Sequence, residues 1–213
     1  ADKNDAIIKY TTNNSQPSPT NGITYTNPVS ISKTTIFKAI AYNLTDTGAV
    51  RSHSYLFLND IKTDPSLYPY ITTNPAYVNM LEAAFKSLPV VSISSNALNS
   101  TNNIEVEIPV STELFYPDNS KKGFMINNGI QTWGGSETNP KKNYRLEFKE
   151  IYGDKKLNYK VFKPDNYDHT NYGIKPVDEF DVLVLRAGSQ DGLNAEFGNE
   201  NLAQYVRNLV MYD

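Results

Sequence analysis

The chain has no cysteine among its 213 residues. Disulfides and thiolate metal sites are thereby excluded. Compartment stays open, since bacterial surface proteins also avoid the residue. Nowhere does an apolar run approach the ~18 residues of a membrane-spanning helix. Histidine is scarce: His53 and His169 are the only two. They lie far apart in sequence and make neither a zinc set nor a convincing catalytic pair. Basic residues are not in excess. Lys and Arg total 20 against 23 Asp and Glu, for a net charge of -3, so no basic field draws in nucleic acid. No secretory signal peptide is visible, and an already processed chain would show none.

What is present points to globular β-structure. Hydrophobic content is 39% with a mean hydropathy of -0.50, and 12% of residues are aromatic, too many for a disordered chain. Fifteen Tyr suit sheet faces. The length allows one large domain or two small ones. In residues 1–59, Ile7–Thr12, Thr24–Ile31, Thr34–Tyr42 and Ser54–Leu58 read as short strands, with a turn-rich loop at Asn13–Gly22. Turn signals about every 8–12 residues suggest an immunoglobulin-like β-sandwich, although the four or five strands fall short of the ~7 it needs. Tyr and Asn here suit sugar binding, but they also simply fill a sheet face and a turn. Three glycosylation triplets (Asn13-Asn14-Ser15, Asn43-Leu44-Thr45, Asn99-Ser100-Thr101) are what chance gives in so Asn-rich a chain.

Residues 60–88 form a connector. Asp60–Thr73 is polar and Pro-punctuated, as a linker is. Asn74-Pro75 then caps a helix whose face of Tyr77, Met80, Leu81, Ala84, Phe85 and Leu88 is expected to pack on a core, with Pro89 as its stop. Residues 89–213 alternate strands and turns. Val90–Ser94 and Ile104–Val110 read as strands, the second strictly alternating with one solvated face. Phe180–Arg186 is the most continuously apolar run and predicts a central strand buried on both faces. A helix is expected over about Asn199–Tyr212.

The richest stretch is Gly129–Lys149. It holds the single Trp133, the pair Gly134-Gly135, and Lys141-Lys142 at the mouth of an alternating strand. Tyr144, Leu146 and Phe148 point one way; Asn143, Arg145, Glu147 and Lys149 point the other. A glycine turn beside a basic strand start can hold an anion, or it can be a plain hairpin with a solvated lysine pair. Arg186, ending an apolar strand, is expected to pair with Asp191. Asp178, Glu179 and Asp181 alternate in direction and do not read as a metal site.

Two resemblances organise these features. Ile8–Pro17, Tyr25–Val29 and Thr34–Tyr42 resemble the chitobiase C-terminal-like domain, with its YT-DGS-P loop, Y--PI and TT-IKA-A strand, over roughly a quarter of the chain. Asn13-Asn14 stands where that family has Asp-Gly. The resemblance implies that the chain begins inside an accessory domain, whose open edge a protein partner or further parts of the same chain would cover.

Leu88–Ile93, Gly129-Ile130, Trp133–Ser136, Pro140–Lys149, Tyr152-Gly153, Phe180–Asp191 and Arg207–Leu209 resemble, in order and spacing, the amino-terminal half of the CotH family. These are spore coat protein H-like proteins regarded as atypical secreted kinases. Together the resemblances imply a mainly β chain: a truncated immunoglobulin-like sandwich, then the amino-terminal half of a CotH-like α+β domain.

In kinase-like folds a strand lysine meets nucleotide phosphates under a mobile turn. The resemblance therefore assigns cofactor contact to Gly134, Gly135, Lys141, Lys142 and Arg186. ATP and magnesium are the cofactors expected of the parent protein, with a secreted or cell-surface, bacterial setting. The family's metal-binding and catalytic Asp residues lie after its R(D/N)-L helix, so no catalytic or metal residue is assigned and this chain by itself is expected to be inactive. The alternatives are a non-catalytic surface or assembly protein, and polysaccharide binding through residues 1–59.

Overall fold

The computed structural model describes residues 5–65, 67, 69–98, 104–134, 142–161 and 177–186. The fold is mainly β, with several antiparallel sheets and few helices. Two compact units are present, residues 1–96 with 110–127 and residues 97–109 with 128–213. The helix expected over Asn199–Tyr212 and the Arg186–Asp191 pairing lie outside the described residues.

In the first unit, β1 (Ile7–Thr11), β2 (Ile23–Thr24), β3 (Thr35–Tyr42) and β4 (Arg51–Tyr55) make a sheet of order β2-β1-β3-β4, antiparallel throughout. The register Thr11↔Lys38↔Ser52 and Lys9↔Ile40 gives the sheet two distinct faces. One buries Thr11, Lys38, Ile40 and Ser52. The other carries Tyr10, Phe37, His53 and Tyr55. The loop after β1 turns on two asparagines. Asn13 Oδ1 accepts from the Ser15 amide at 3.1 Å and its hydroxyl at 2.7 Å. Asn14 takes the left-handed conformation, φ 62°, which Asn tolerates better than other side-chain-bearing residues.

The chain leaves the sheet earlier than Ser54–Leu58 suggested. β4 stops at Tyr55 and helix α1 (Leu58–Lys62) follows, because Thr34 takes hold of the turn. Its hydroxyl accepts from the Phe57 amide at 2.9 Å, and its own amide donates to Asp60 Oδ2 at 2.6 Å. The expected linker thus contains α1 and a second short helix, α2 (Pro69–Thr73). Helix α3 (Pro75–Ser87) starts as expected: Asn74 Oδ1 accepts from the Ala76 amide at 2.9 Å and Pro75 sits in the first turn. Its apolar face is not core. No α3 residue is buried, and Tyr77 and Met80 are 45% and 62% exposed. Its helical neighbours α1 and α2 are one-turn pieces too small to cover the stripe.

β5 (Val90–Ser94) pairs antiparallel with β6 (Ile108–Phe115), and β6 neighbours β7 (Phe124–Thr132). The strand expected at Ile104–Val110 is therefore displaced. It begins at Ile108 and continues through Ser111, Thr112 and Glu113, all buried. Between β6 and β7, a Cβ at Gly123 would overlap the backbone carbonyl of Leu114, so only glycine allows that crossing. Glu113 closes the outer edge of β4: one carboxylate oxygen accepts from the Ser54 amide at 2.8 Å, the other meets His53 Nδ1 at 2.6 Å. Ser54 and Ser92 hydroxyls add a 2.7 Å bond.

In the second unit the order is β7-β8-β11, with β8 at Tyr144–Glu147 and β11 at Val182–Leu185, while β9 (Leu157–Asn158) pairs with β10 (Glu179–Phe180). Ile130, Leu146, Phe148 and Leu157 are buried here, as is Asn128. β11, expected to be central, is the outermost described strand of its sheet, and Val184 is 42% exposed. An apolar run reports how much apolar surface must find cover; it does not report where the strand sits.

Candidate functional site

The site is built on the β7–β8 hairpin. Pairing runs Gly129↔Glu147, Ile130↔Leu146, Gln131↔Arg145 and Thr132↔Tyr144, and the Trp133 amide donates to the Asn143 carbonyl at 3.0 Å. Above that last bond Gly134 turns the chain with φ +67°, where a Cβ would meet nothing closer than Asn143 Nδ2 at 4.0 Å. Glycine is needed there for conformation, not for space. Lys142 stands on the other arm of the hairpin mouth and is only 8% exposed, so it is not a solvated surface lysine.

β11 adds the third member. It pairs with β8 as Leu185↔Tyr144 and Val184↔Arg145. Arg186, one residue further, therefore lies at the level of Asn143, at the end of the sheet that also holds Lys142. Three of the five residues singled out from sequence, Gly134, Lys142 and Arg186, come to one end of one sheet. Gly135 and Lys141 lie outside the described residues.

The basic residues further along β8 meet carboxylates. Arg145 stacks over the Trp133 ring, 4.8 Å from its centroid, and its Nε donates to Glu147 Oε1 at 2.6 Å. Glu147 is only 6% exposed because Arg145 and Lys149 flank it. Lys149 Nζ donates to Glu107 Oε2 at 2.5 Å and lies 3.7 Å from Glu147 Oε2. The Glu107 hydrogen bond, followed by the Glu107 and Glu147 charges, holds the Lys149 ammonium above the usual lysine range. Burial, with Glu107 next, pushes the Tyr152 hydroxyl up; burial alone does so for Tyr144. These side chains form a charge-balanced network.

Glu107 explains a sequence expectation that failed. A Cβ at Gly129 would collide with its side chain, so the carboxylate lies across the strand at a position only glycine leaves open. With Ile104 held through its carbonyl by the Thr132 amide and hydroxyl, both at 3.0 Å, residues 104–107 run as a strap instead of a strand. Ile104 is buried and Val106 is 76% exposed, which breaks the expected alternation.

Elsewhere, Lys156 Nζ lies 2.6 Å from Glu179 and 3.9 Å from Asp181, so a side chain balances that acidic pair. Among the described residues no three His, Asp or Glu side chains come together as a metal site, and no helix is long and apolar enough to cross a membrane. His53, discounted as half of a histidine pair, is oriented by Glu113. No spacing signal in the sequence links residues so far apart.

Across the second face of the β1–β4 sheet runs a row of rings. Tyr25 and Tyr10 meet edge-to-face at 6.5 Å, Tyr10 and Phe37 stack at 5.1 Å, and Phe37 and Tyr55 meet edge-to-face at 6.5 Å. Tyr25 and Tyr55 are 44% and 39% exposed.

Comparison with known proteins finds one family. A family model described as Fn3 associated matches residues 1–55. No curated protein and no solved structure matches the chain.

Proposed function

We propose that this chain is part of a secreted or cell-surface CotH-like multidomain protein, in which an α+β domain contributes Lys142 and Arg186 to a nucleotide-phosphate site beneath the Gly134 turn. The observation that carries the reading is the register of β8 with β11, which brings two cations far apart in sequence to one end of a sheet, beside a left-handed glycine. Two cations beside a glycine that carries no side chain suit a polyphosphate. In the parent protein, ATP and magnesium would supply the phosphoryl group and the charge neutralisation. The chain's own residues would bind and orient phosphate. The immunoglobulin-like module fits the Fn3-associated match at residues 1–55 and acts as an accessory.

The test is nucleotide binding by calorimetry to the chain and to its Lys142→Ala and Arg186→Ala variants, with folding checked by circular dichroism. A charge-assisted hydrogen bond is worth about 1.5–3 kcal/mol, so each variant is expected to bind ATP roughly tenfold or more weakly. Undiminished binding in both variants rejects the site.

A second reading rests on the aromatic row. Strands lie about 4.8 Å apart, comparable with the length of one pyranose residue, so a row of rings crossing four strands suits a polysaccharide. Retention on insoluble polysaccharides, lost in Tyr55→Ala and Tyr25→Ala, supports it; equal elution of wild type and variants rejects it.

A further inference from the structure

Lys38 is an unusual lysine. It projects from the middle of β3 into the first unit and is 3% exposed. Its amine donates to the backbone carbonyl of Asn14 at 3.0 Å and to Asn96 Oδ1 at 3.2 Å. Both partners are neutral. A buried ammonium normally draws a carboxylate, because desolvation of an unpaired charge is costly. Here burial, with no opposing charge, holds the amine below the usual lysine range, which favours the form that carries a lone pair. The Asn14 loop is fixed to the same segment, since Asn14 Nδ2 donates to the Ser95 carbonyl at 3.2 Å. Amine and carboxamide are therefore held in contact from both sides.

We propose that Lys38 and Asn96 join through a side-chain amide, an isopeptide bond between Lys38 Nζ and Asn96 Cγ. The uncharged amine attacks Cγ, and the C–N bond to Nδ2 breaks. The amine surrenders one proton, the departing nitrogen gains one, and ammonia leaves. Nothing is oxidised or reduced, and no co-reactant is consumed. The Asn14 carbonyl receives the N–H that becomes positive as the new bond forms. Asn96 is exposed on its other side, so water can protonate the leaving group and ammonia can escape. Holding the two groups together replaces an encounter in solution. In a chain without cysteine, the bond would supply the covalent tie between β3 and the segment after β5 that a disulfide otherwise provides.

The experiment is intact-mass measurement on the full folded chain after prolonged incubation, followed by proteolysis and tandem mass spectrometry. The expected result is a mass lower by one ammonia, with a branched peptide joining Lys38 to Asn96. Lys38→Arg and Asn96→Ala are each expected to show the unmodified mass, and Asn96→Asp to lose water in place of ammonia. A wild-type mass equal to that of the unlinked sequence overturns the proposal. An ammonia loss that maps to a succinimide within one linear peptide, or that persists in Lys38→Arg, overturns it equally.

Discussion

Lys38 in the first unit and Lys149 in the second are both lysines on or just beyond a strand, and their surroundings push them in opposite directions. Lys38 meets only neutral oxygens inside its unit. Lys149 is partly exposed and meets Glu107, with Glu147 beyond. The first is held below the ordinary range by burial, the second above it by a hydrogen-bonded carboxylate. A charge in water with a partner is ordinary surface chemistry; a charge without one must be neutralised, moved or used. The two units differ in their glycines in the same sense. Gly123 faces backbone, whereas Gly129 faces a flexible side chain.

The largest expected effect lies in the first unit. Gly123→Ala drives a methyl group into the Leu114 carbonyl, which cannot step aside without breaking the β6–β7 crossing. A loss of about 3 kcal/mol is expected in denaturant unfolding. Glu113→Ala comes next. It strips the Ser54 amide and His53 Nδ1 of their acceptor at the β4 edge, and should cost about 2 kcal/mol. Gly129→Ala in the second unit should cost less, about 1 kcal/mol, because Glu107 can swing away and give up Lys149. Equal losses for Gly123→Ala and Gly129→Ala would end the distinction between backbone and side-chain neighbours.

The smallest effect is the alkaline one, and its sign separates the lysines. Lys38 in the folded chain titrates below its unfolded value of 10.5. Between the two values the unfolded chain binds more protons, so its burial penalty is relieved as pH rises towards 10.5. Lys149 titrates above 10.5. Its contribution is complete below 10.5 and is lost as pH rises through the folded value. Urea midpoints measured against Lys38→Met should show the lysine form gaining on the variant as pH climbs to 10.5. Measured against Lys149→Met, the lysine form should lose ground only beyond it. The Lys38 comparison belongs in an Asn96→Ala background, since an amide nitrogen does not titrate. Parallel trends for both lysines would remove the contrast.

Much of the framework was legible. β1, β3, β5 and β8 were visible as alternating or β-rich runs, and Asn74-Pro75 announced α3 through a capping geometry that needs only neighbours in sequence. The mouth of the β7–β8 hairpin was visible too, because Trp133, Gly134 and Lys142 lie close together in sequence. Other features were hidden because they depend on residues far apart. Residues 104–107 alternate like a strand, but Lys149 and Gly129 make them a strap. The apolar run at Phe180–Arg186 reads as central, yet β11 lies outermost among the described strands. Ser111-Thr112-Glu113 looks soluble and is buried, because Glu113 finds its donors on β4.

The sequence by itself determined where several of the strands run and where α3 begins, since those follow from steric and hydrogen-bonding preferences within a few bonds. Tertiary structure alone decided which lysine is buried without a counter-charge, which carboxylates are neutralised and that Arg186 arrives at the end of the sheet that holds Lys142. Burial and electrostatics depend on what lies nearby in space, and strand register, not sequence distance, sets that.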